Sequence, residues 1–285
     1  MTLTEAYQLN NGLKINKIGF GTWLLDNHDV VDAVKKAIKV GYRHIDTAEA
    51  YGNEEGVGRA VRESGIAREK LFVTTKLRAE MKNYDDAVAA INDSLKKLNI
   101  DYIDLMLIHS PKPWAYYTST EDFSDGNLAA WRALEEAYEA GKIKAIGVAN
   151  FEQADLQNLI DHAKIMPMVD QVLAHIGNTP LELIMFAQKQ NILVEAHSPF
   201  GHGDLIKNDK LQIISDRYHV TVSQLAVRYL LQLGLLPLPK ASSIAHMKSN
   251  TEVDFTISDD DMLQLKYFKD ITYSSDTAVF PVYQK

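Results

Sequence analysis

Gly41-Tyr42-Arg43-His44-Ile45-Asp46-Thr47-Ala48-Glu49-Ala50-Tyr51-Gly52-Asn53-Glu54-Glu55 passes from a buried strand, through a short loop, into a helix. His44 to Thr47 reads as the end of the strand. Asn53 stands where an N-cap belongs, ahead of a helix that contains Gly56 to Val61. A strand that feeds a helix through a loop is a βα unit, and in α/β barrels such loops carry the chemistry. This loop holds an acid, Asp46, and a phenol, Tyr51.

The same alternation extends in both directions. Apolar, β-branched runs predict strands at 18–23, 44–48, 71–77, 102–109, 143–150, 168–174, 192–198 and 235–240. Helical spacing predicts helices between them: one marked by Val30, Val31, Val34 and Ile38 and ended by Gly41, then 84–98, 128–140, 153–163, 181–190 and 222–233. Eight βα steps describe a (β/α)8 TIM barrel in one domain over residues 1–285. Runs such as Leu105-Met106-Leu107-Ile108 suit parallel strands covered on both faces. Ahead of the barrel, Tyr7-Gln8-Leu9, Asn10-Asn11-Gly12 and Leu13-Lys14-Ile15 predict a β-hairpin that plugs one end, with Asn-Gly supplying left-handed dihedrals. Long loops are expected at 111–127 and 200–221, and a tail at 270–285.

The chain is 46% hydrophobic and 24% charged, the balance of an ordinary soluble globule. Its net charge of −8 argues against a general nucleic-acid binder. The absence of cysteine removes disulfides, thiolate nucleophiles and thiolate metal sites, and fits a reducing cytoplasm. The polar start gives no signal peptide, and no run is long enough to span a bilayer, so a cytoplasmic protein is expected. A monomer is expected as well.

Two further strand ends bring candidate partners to the first loop: Lys76 and His109. In a barrel these ends are neighbours on one rim. A phenol is a weak acid, with a pKa of about 10. A nearby ammonium favours its anion, so Lys76, held by Asp46, is expected to make Tyr51 a better proton donor. A neutral His109 would orient a carbonyl oxygen. A proton donor beside an oxyanion site is what carbonyl reduction needs.

These stretches closely resemble the aldo-keto reductase family, in its branch of bacterial 2,5-diketogluconate reductases and prostaglandin F synthases. The resemblance rests on residues 41–54, the Lys76 strand, Leu107-Ile108-His109, Gly147-Val148-Ala149-Asn150-Phe151, Ser198-Pro199-Phe200-Gly201 and Pro237-Leu238-Pro239-Lys240. It implies a barrel that binds an extended nicotinamide cofactor without a Rossmann domain. Gly19-Phe20-Gly21 indeed lacks the third glycine, since Leu24 stands there. It also implies reversible NAD(P)H-dependent reduction of aldehydes and ketones. Hydride passes from nicotinamide C4 to the carbonyl carbon, and Tyr51 protonates the oxygen.

The resemblance further implies a cofactor cleft of Thr22, Trp23, Asp46, Asn150, Gln171, His197, Ser198, Pro199, Phe200, Gly201, Pro239, Lys240, Ser242, His246 and Asn250. Asn150 and Gln171 would hold the carboxamide, with Ala149 where the family carries a serine. His197 would stack on the nicotinamide in place of an aromatic, and its charging near pH 6.5 would weaken NAD(P)+ binding in acid. Ser198 to Gly203 would follow the pyrophosphate. Lys240 suits the 2′-phosphate, but Ala241 replaces a serine and His246 an arginine. NADPH is the expected cofactor, with NADH admitted by those two changes.

The substrate pocket is expected to use Trp23, Tyr51, His109, Ser110, Trp114 and Phe280, with Val279 and Tyr283 as further walls. Apolar walls suit alkyl or aryl carbonyl compounds. The alternative is a cofactor-binding regulatory subunit with little turnover. A metal-dependent barrel hydrolase is not favoured, because the first strand has no His-x-His and no metal site is expected.

Overall fold

The structure, a computed structural model, describes residues 2–284. Strands β1 (Ala6–Gln8) and β2 (Lys14–Asn16) pair antiparallel as the expected hairpin. Its turn differs in one respect: of the turn residues only Gly12 takes a left-handed φ, +87°. One glycine closes a three-residue loop, so the asparagines keep ordinary dihedrals.

The remaining eight strands form one parallel sheet. They are β3 (Gly19–Gly21), β4 (His44–Asp46), β5 (Phe72–Leu77), β6 (Leu105–Ile108), β7 (Ile146–Ala149), β8 (Val169–Leu173), β9 (Leu193–His197) and β10 (Leu236–Pro237). Each pairs with the next in sequence order. The sheet curls until its edges meet, where the Gly21 amide donates to the Pro239 carbonyl at 3.2 Å. Glycine is needed at this seam: a Cβ on Gly19 would lie 2.5 Å from the Leu238 side chain. The result is the expected (β/α)8 barrel.

Helices α1 (Asp29–Val40), α2 (Glu54–Arg62), α3 (Tyr84–Leu98), α4 (Ser124–Glu139), α5 (Gln153–His162) and α6 (Leu181–Lys189) follow β3 to β8. Helix α4 begins four residues before its predicted start, which shortens the loop after β6. The predicted loop at 200–221 contains a helix of its own, α7 (Asp209–Arg217), before α8 (Val222–Gln232). The Asn208 side chain caps it, accepting from the Lys210 and Leu211 amides, and Leu211 and Ile214 bury its inner face. Three short helices close the chain: α9 (Ile244–Ser249), α10 (Asp259–Lys266) and α11 (Ser275–Ala278). No described helix is long and apolar enough to cross a membrane.

Asn53 occupies the N-cap position of α2, but its side chain caps nothing. Its Nδ2 donates to the carbonyls of Thr22 (3.1 Å) and Leu25 (2.9 Å), and its Oδ1 accepts from Thr47 Oγ1 (2.6 Å). It therefore ties the loop after β3 to the end of β4, and Asn27 Oδ1 takes the Gly56 amide in its place.

Candidate active site

Strands β4, β5 and β6 end side by side. Asp46 closes β4, Lys76 stands near the end of β5 and His109 follows β6. Tyr51 comes from the single turn of 3-10 helix, Glu49–Tyr51, that bridges β4 and α2. The four residues expected from sequence are thus brought together.

Lys76 has no exposed surface. Its Nζ donates to both Asp46 oxygens at 2.8 Å, to the Thr47 carbonyl at 2.9 Å and to Tyr51 Oη at 3.5 Å. Burial alone would discharge it, but Asp46 and Tyr51 hold its pKa above the ordinary lysine value. The ammonium therefore persists inside the barrel.

Tyr51 departs from expectation. Burial raises its pKa, and the lowering effect of Lys76 does not overcome it. The phenol therefore keeps its proton at rest. The Lys76 ammonium 3.5 Å away favours the phenolate, in opposition to burial.

The His109 ring meets Tyr51 edge-on, with centroids 5.7 Å apart. Burial, then Lys76 and His197, push its pKa well below the usual value, so it is neutral. Its Nδ1 is buried without a hydrogen-bond partner. Trp114 packs on its other side at 5.4 Å.

Gln171, on β8, reaches across the barrel. Its Nε2 donates to Asp46 Oδ1 (2.9 Å) and to Glu195 Oε2 (2.8 Å). Asn150, at a left-handed φ of +60°, donates through Nδ2 to the His109 carbonyl. Its Oδ1 lies 2.9 Å from His197 Nε2. Asn150 retains one N–H and one lone pair for a ligand.

His197 is corrected in one property. Since Asn150 Oδ1 can only accept, Nε2 carries the proton. Burial, reinforced by Lys76, lowers the ring's pKa to about 3. It stays neutral near pH 6.5, so the expected acid-weakened NAD(P)+ binding has no basis in this ring.

Beyond β9 the backbone turns sharply: Ser198, Gly201, His202 and Gly203 all have left-handed φ. Pro199 is buried and Phe200 half-buried within this turn. At the barrel seam, Thr22 Oγ1 donates to the Asp46 carbonyl, and Pro239 accepts from Gly21. Lys240, Ser242 and His246 are exposed on the next segment, while Asn250 is buried behind them. Lys240 has no ion-pair partner among the described residues.

Of the expected pocket walls, Phe280 packs on Trp23 at 4.6 Å and on His202 at 5.0 Å. Ser110 is fully buried: its Oγ accepts from the Lys112 amide and its carbonyl from Lys82, so it lends the cleft no surface. Val279 is 63% exposed, and Tyr283 packs on Tyr273 at 4.8 Å and on His202 at 5.2 Å. A cavity of about 260 Å³ is lined by Asn150, Tyr117, Phe151, Leu173, Tyr273 and Tyr283 among others. None of the six expected pocket residues lines it.

Glu195 escaped the sequence reading, although a glutamate between Val194 and Ala196 in a buried strand was a visible anomaly. Thr47, which supplies a carbonyl to Lys76, was also not singled out.

A fold and site of this kind define a barrel enzyme with a buried lysine–aspartate pair behind a tyrosine. Residues 17–270 match the model of the Aldo/keto reductase family. The glyoxal reductase of Bacillus subtilis is 40% identical over 263 residues, covering 92% of this chain and 91% of the relative. An aldo/keto reductase crystal structure from Brucella melitensis superposes with a TM-score of 0.86 at 38% identity, covering 93% and 98% of the two chains. A Bombyx mori aldo-keto reductase solved in complex with NADP has a TM-score of 0.84 at 32% identity over 99% of each chain. The chain belongs to the aldo/keto reductase family. It is an oxidoreductase acting on aldehydes or ketones.

Proposed function

We propose that the protein reduces small aldehydes and ketones with a nicotinamide cofactor, using Tyr51 as the proton donor. The observation that carries this reading is the Lys76 ammonium, fully buried, bound to Asp46 and 3.5 Å from the Tyr51 oxygen.

Several features support a nicotinamide cofactor. Gln171 has no hydrogen-bond partner for Oε1 among the described residues, so an acceptor stands free for a carboxamide. The exposed Lys240 ammonium suits a phosphate, and the left-handed turn after β9 brings backbone close to where a pyrophosphate would run. When bound, the cofactor supplies the hydride that the carbonyl carbon accepts. The protein's own groups do the rest. His109, neutral and with Nδ1 buried without a partner, donates to the carbonyl oxygen and orients it. Tyr51 Oη passes its proton to that oxygen. Lys76 stabilises the phenolate that remains, and Asp46 keeps Lys76 charged. Trp23, Trp114 and Phe280 exclude water around the carbonyl. The same groups serve alcohol oxidation in reverse.

NADPH is the preferred cofactor in this reading. Lys240 offers the 2′-phosphate a point charge, and His246 offers less than the arginine of the family pattern, so NADH remains usable. The name of the Bacillus subtilis relative suggests small dicarbonyl compounds such as glyoxal as first substrates to test.

The deciding experiment compares Tyr51→Phe with the parent in single turnovers of NADPH with an aldehyde. Loss of the proton donor should slow reduction by about 10²–10⁴-fold. Cofactor affinity, measured by tryptophan quenching, should stay within about twofold, because the phenol is not a binding group. Undiminished turnover would remove Tyr51 from the role.

A further inference from the structure

Strand β9 carries a carboxylic acid in the barrel interior. Glu195 has no exposed surface, and its Oε2 lies 2.8 Å from Gln171 Nε2. That nitrogen also lies 2.9 Å from Asp46 Oδ1. A primary amide nitrogen has two N–H bonds, and both are committed here to carboxyl oxygens. Asp46 is bound by the Lys76 ammonium, so its oxygens only accept. The nitrogen of Gln171 must therefore face inward, which leaves Oε1 as the free end of the amide.

One pin does not hold an amide in plane; two do. With Asp46 alone, Gln171 could swing about its terminal torsion, which is soft and broad. We propose that Glu195 is a positioning residue for the nicotinamide: by taking the second N–H of Gln171, it presents Oε1 to the N–H of the cofactor's carboxamide. This inference rests on the proposed function and deepens it.

The charged and titratable groups that face Glu195 come from three other strands. On β4 are Asp46 and His44, the latter with Nε2 4.0 Å from Glu195 Oε1; Lys76 is on β5 and Asp170 on β8. Strand β10 pairs with β9 through Leu236 and Pro237, which do not titrate. Burial first, and then the Asp46 charge, raise the Glu195 pKa to about 8. His44 is neutral, its pKa lowered by burial to about 3. Burial likewise keeps Asp170 protonated well above the ordinary range. At pH 7 Glu195 is therefore neutral, and above pH 8 it adds a negative charge behind the nicotinamide site. A negative charge there favours the cationic oxidised ring over the neutral reduced one.

The test measures dissociation constants for NADP+ and NADPH at pH 7 and pH 9 by tryptophan quenching, with the parent, Glu195→Gln and Glu195→Leu. In the parent, affinity for NADP+ relative to NADPH should rise about threefold or more between the two pH values. Glu195→Gln keeps the volume and the acceptor but cannot ionise. It should bind both forms within about twofold of the parent at pH 7 and lose the rise. Glu195→Leu removes the acceptor and should weaken both forms about five- to tenfold at pH 7. Leucine binding as tightly as the parent would overturn the positioning role. So would glutamine binding as poorly as leucine; a glutamine variant that keeps the full pH rise would overturn Glu195 as the source of that rise. Should leucine fail to fold, Glu195→Ala, which also removes the acceptor, takes its place. A parent protein that binds neither cofactor, by contrast, sinks the proposed function itself, and Glu195 with it.

Discussion

At the scale of single residues, burial decides the site's chemistry more than residue type does. Lys76 and Asp46 illustrate this. Removing one partner of a buried ion pair leaves the other uncompensated, which costs about 3–5 kcal/mol. Lys76→Met should therefore lower stability by about that amount in urea unfolding and abolish carbonyl reduction. Adding Asp46→Asn to it should restore much of the stability, because two neutral groups replace one stranded charge, yet restore no activity. Recovery of both together would mean that the pair is only structural. The histidines give a second prediction. Burial lowers the pKa of His44 and His197 to about 3 and of His175 to about 4. In the unfolded chain they bind protons near pH 6.5, in the folded chain far lower. Their contribution to stability is thus complete above pH 6.5 and is lost as pH falls below it, by up to about 1.4 kcal/mol per pH unit for each ring. Buried Glu195 and Asp170, whose carboxyls hold protons above the ordinary range, act in the opposite sense over the same window, so the rings are read by difference: the loss of urea midpoint between pH 6.5 and 5 should be smaller in His175→Gln than in the parent, and an unchanged loss would contradict burial of His175 as a neutral ring. This scale also marks what sequence reveals. The meeting of Asp46, Lys76 and His109 is legible because each sits at a strand end of one repeating unit, with Tyr51 in the loop that follows the first of them. Glu195 was not, since a strand places alternate residues on opposite faces, and only closure of the sheet turns this one inward. The neutral state of His197 was hidden for the same reason: residue identity supplies a reference pKa, and the fold supplies the displacement.

At the scale of elements, the barrel was legible because strand and helix periodicities differ, and eight alternations leave few other architectures. What escaped was local. Helix α7 was absorbed into a loop because its apolar face is only Leu211 and Ile214, too little signal beside the long polar segment around it. Asn53 was read as a cap from its position, whereas its side chain is spent on three bonds to neighbouring loops. Glycines in α2 show how elements set the distance between helices. A glycine inside a helix costs about 1 kcal/mol relative to alanine, so it needs a compensating contact. Gly58 has one: a Cβ there would lie 1.8 Å from the Leu98 carbonyl oxygen at the end of α3. Gly58→Ala should therefore destabilise by about 3 kcal/mol or more, because backbone rather than a flexible side chain must move. Gly52 is the control, having φ +66° with open space around its missing Cβ. Gly52→Ala should cost only about 1–2 kcal/mol from backbone strain. Equal losses in the two variants would show that helix contact is not what Gly58 serves.

At the scale of the whole molecule, the tail and the turn after β9, proposed to hold the cofactor, are one structure. Asp204, six residues beyond Ser198, accepts from the Ser274 amide (2.9 Å), Ser274 Oγ (3.1 Å) and Thr277 Oγ1 (2.8 Å). Tyr273 donates to His175 Nε2 at 3.2 Å, since His175 Nδ1 is committed to the Ile176 carbonyl. Phe280 then reaches back to Trp23 across the barrel seam. The sequence assigns Trp23 to a pocket floor and Phe280 to a wall, but it cannot show which group anchors the tail, because that anchor joins residues about seventy positions apart. Asp204→Ala removes one acceptor and leaves three donors without it. Three hydrogen bonds to one half-buried carboxylate are worth about 1–2 kcal/mol in total, enough to raise the open population of the tail about tenfold. Two measurements follow from that opening. Trypsin should cut after Lys269 about tenfold faster in the variant, since cleavage tracks the population of the open form. If Phe280 forms the proposed substrate wall, the KM for an aldehyde should rise severalfold, because Phe280 moves away whenever the tail detaches, while single-turnover reduction at saturating aldehyde changes little. If cleavage after Lys269 is no faster than in the parent, the tail is held by its aromatic contacts alone, and Asp204 does not link the cofactor turn to the substrate wall.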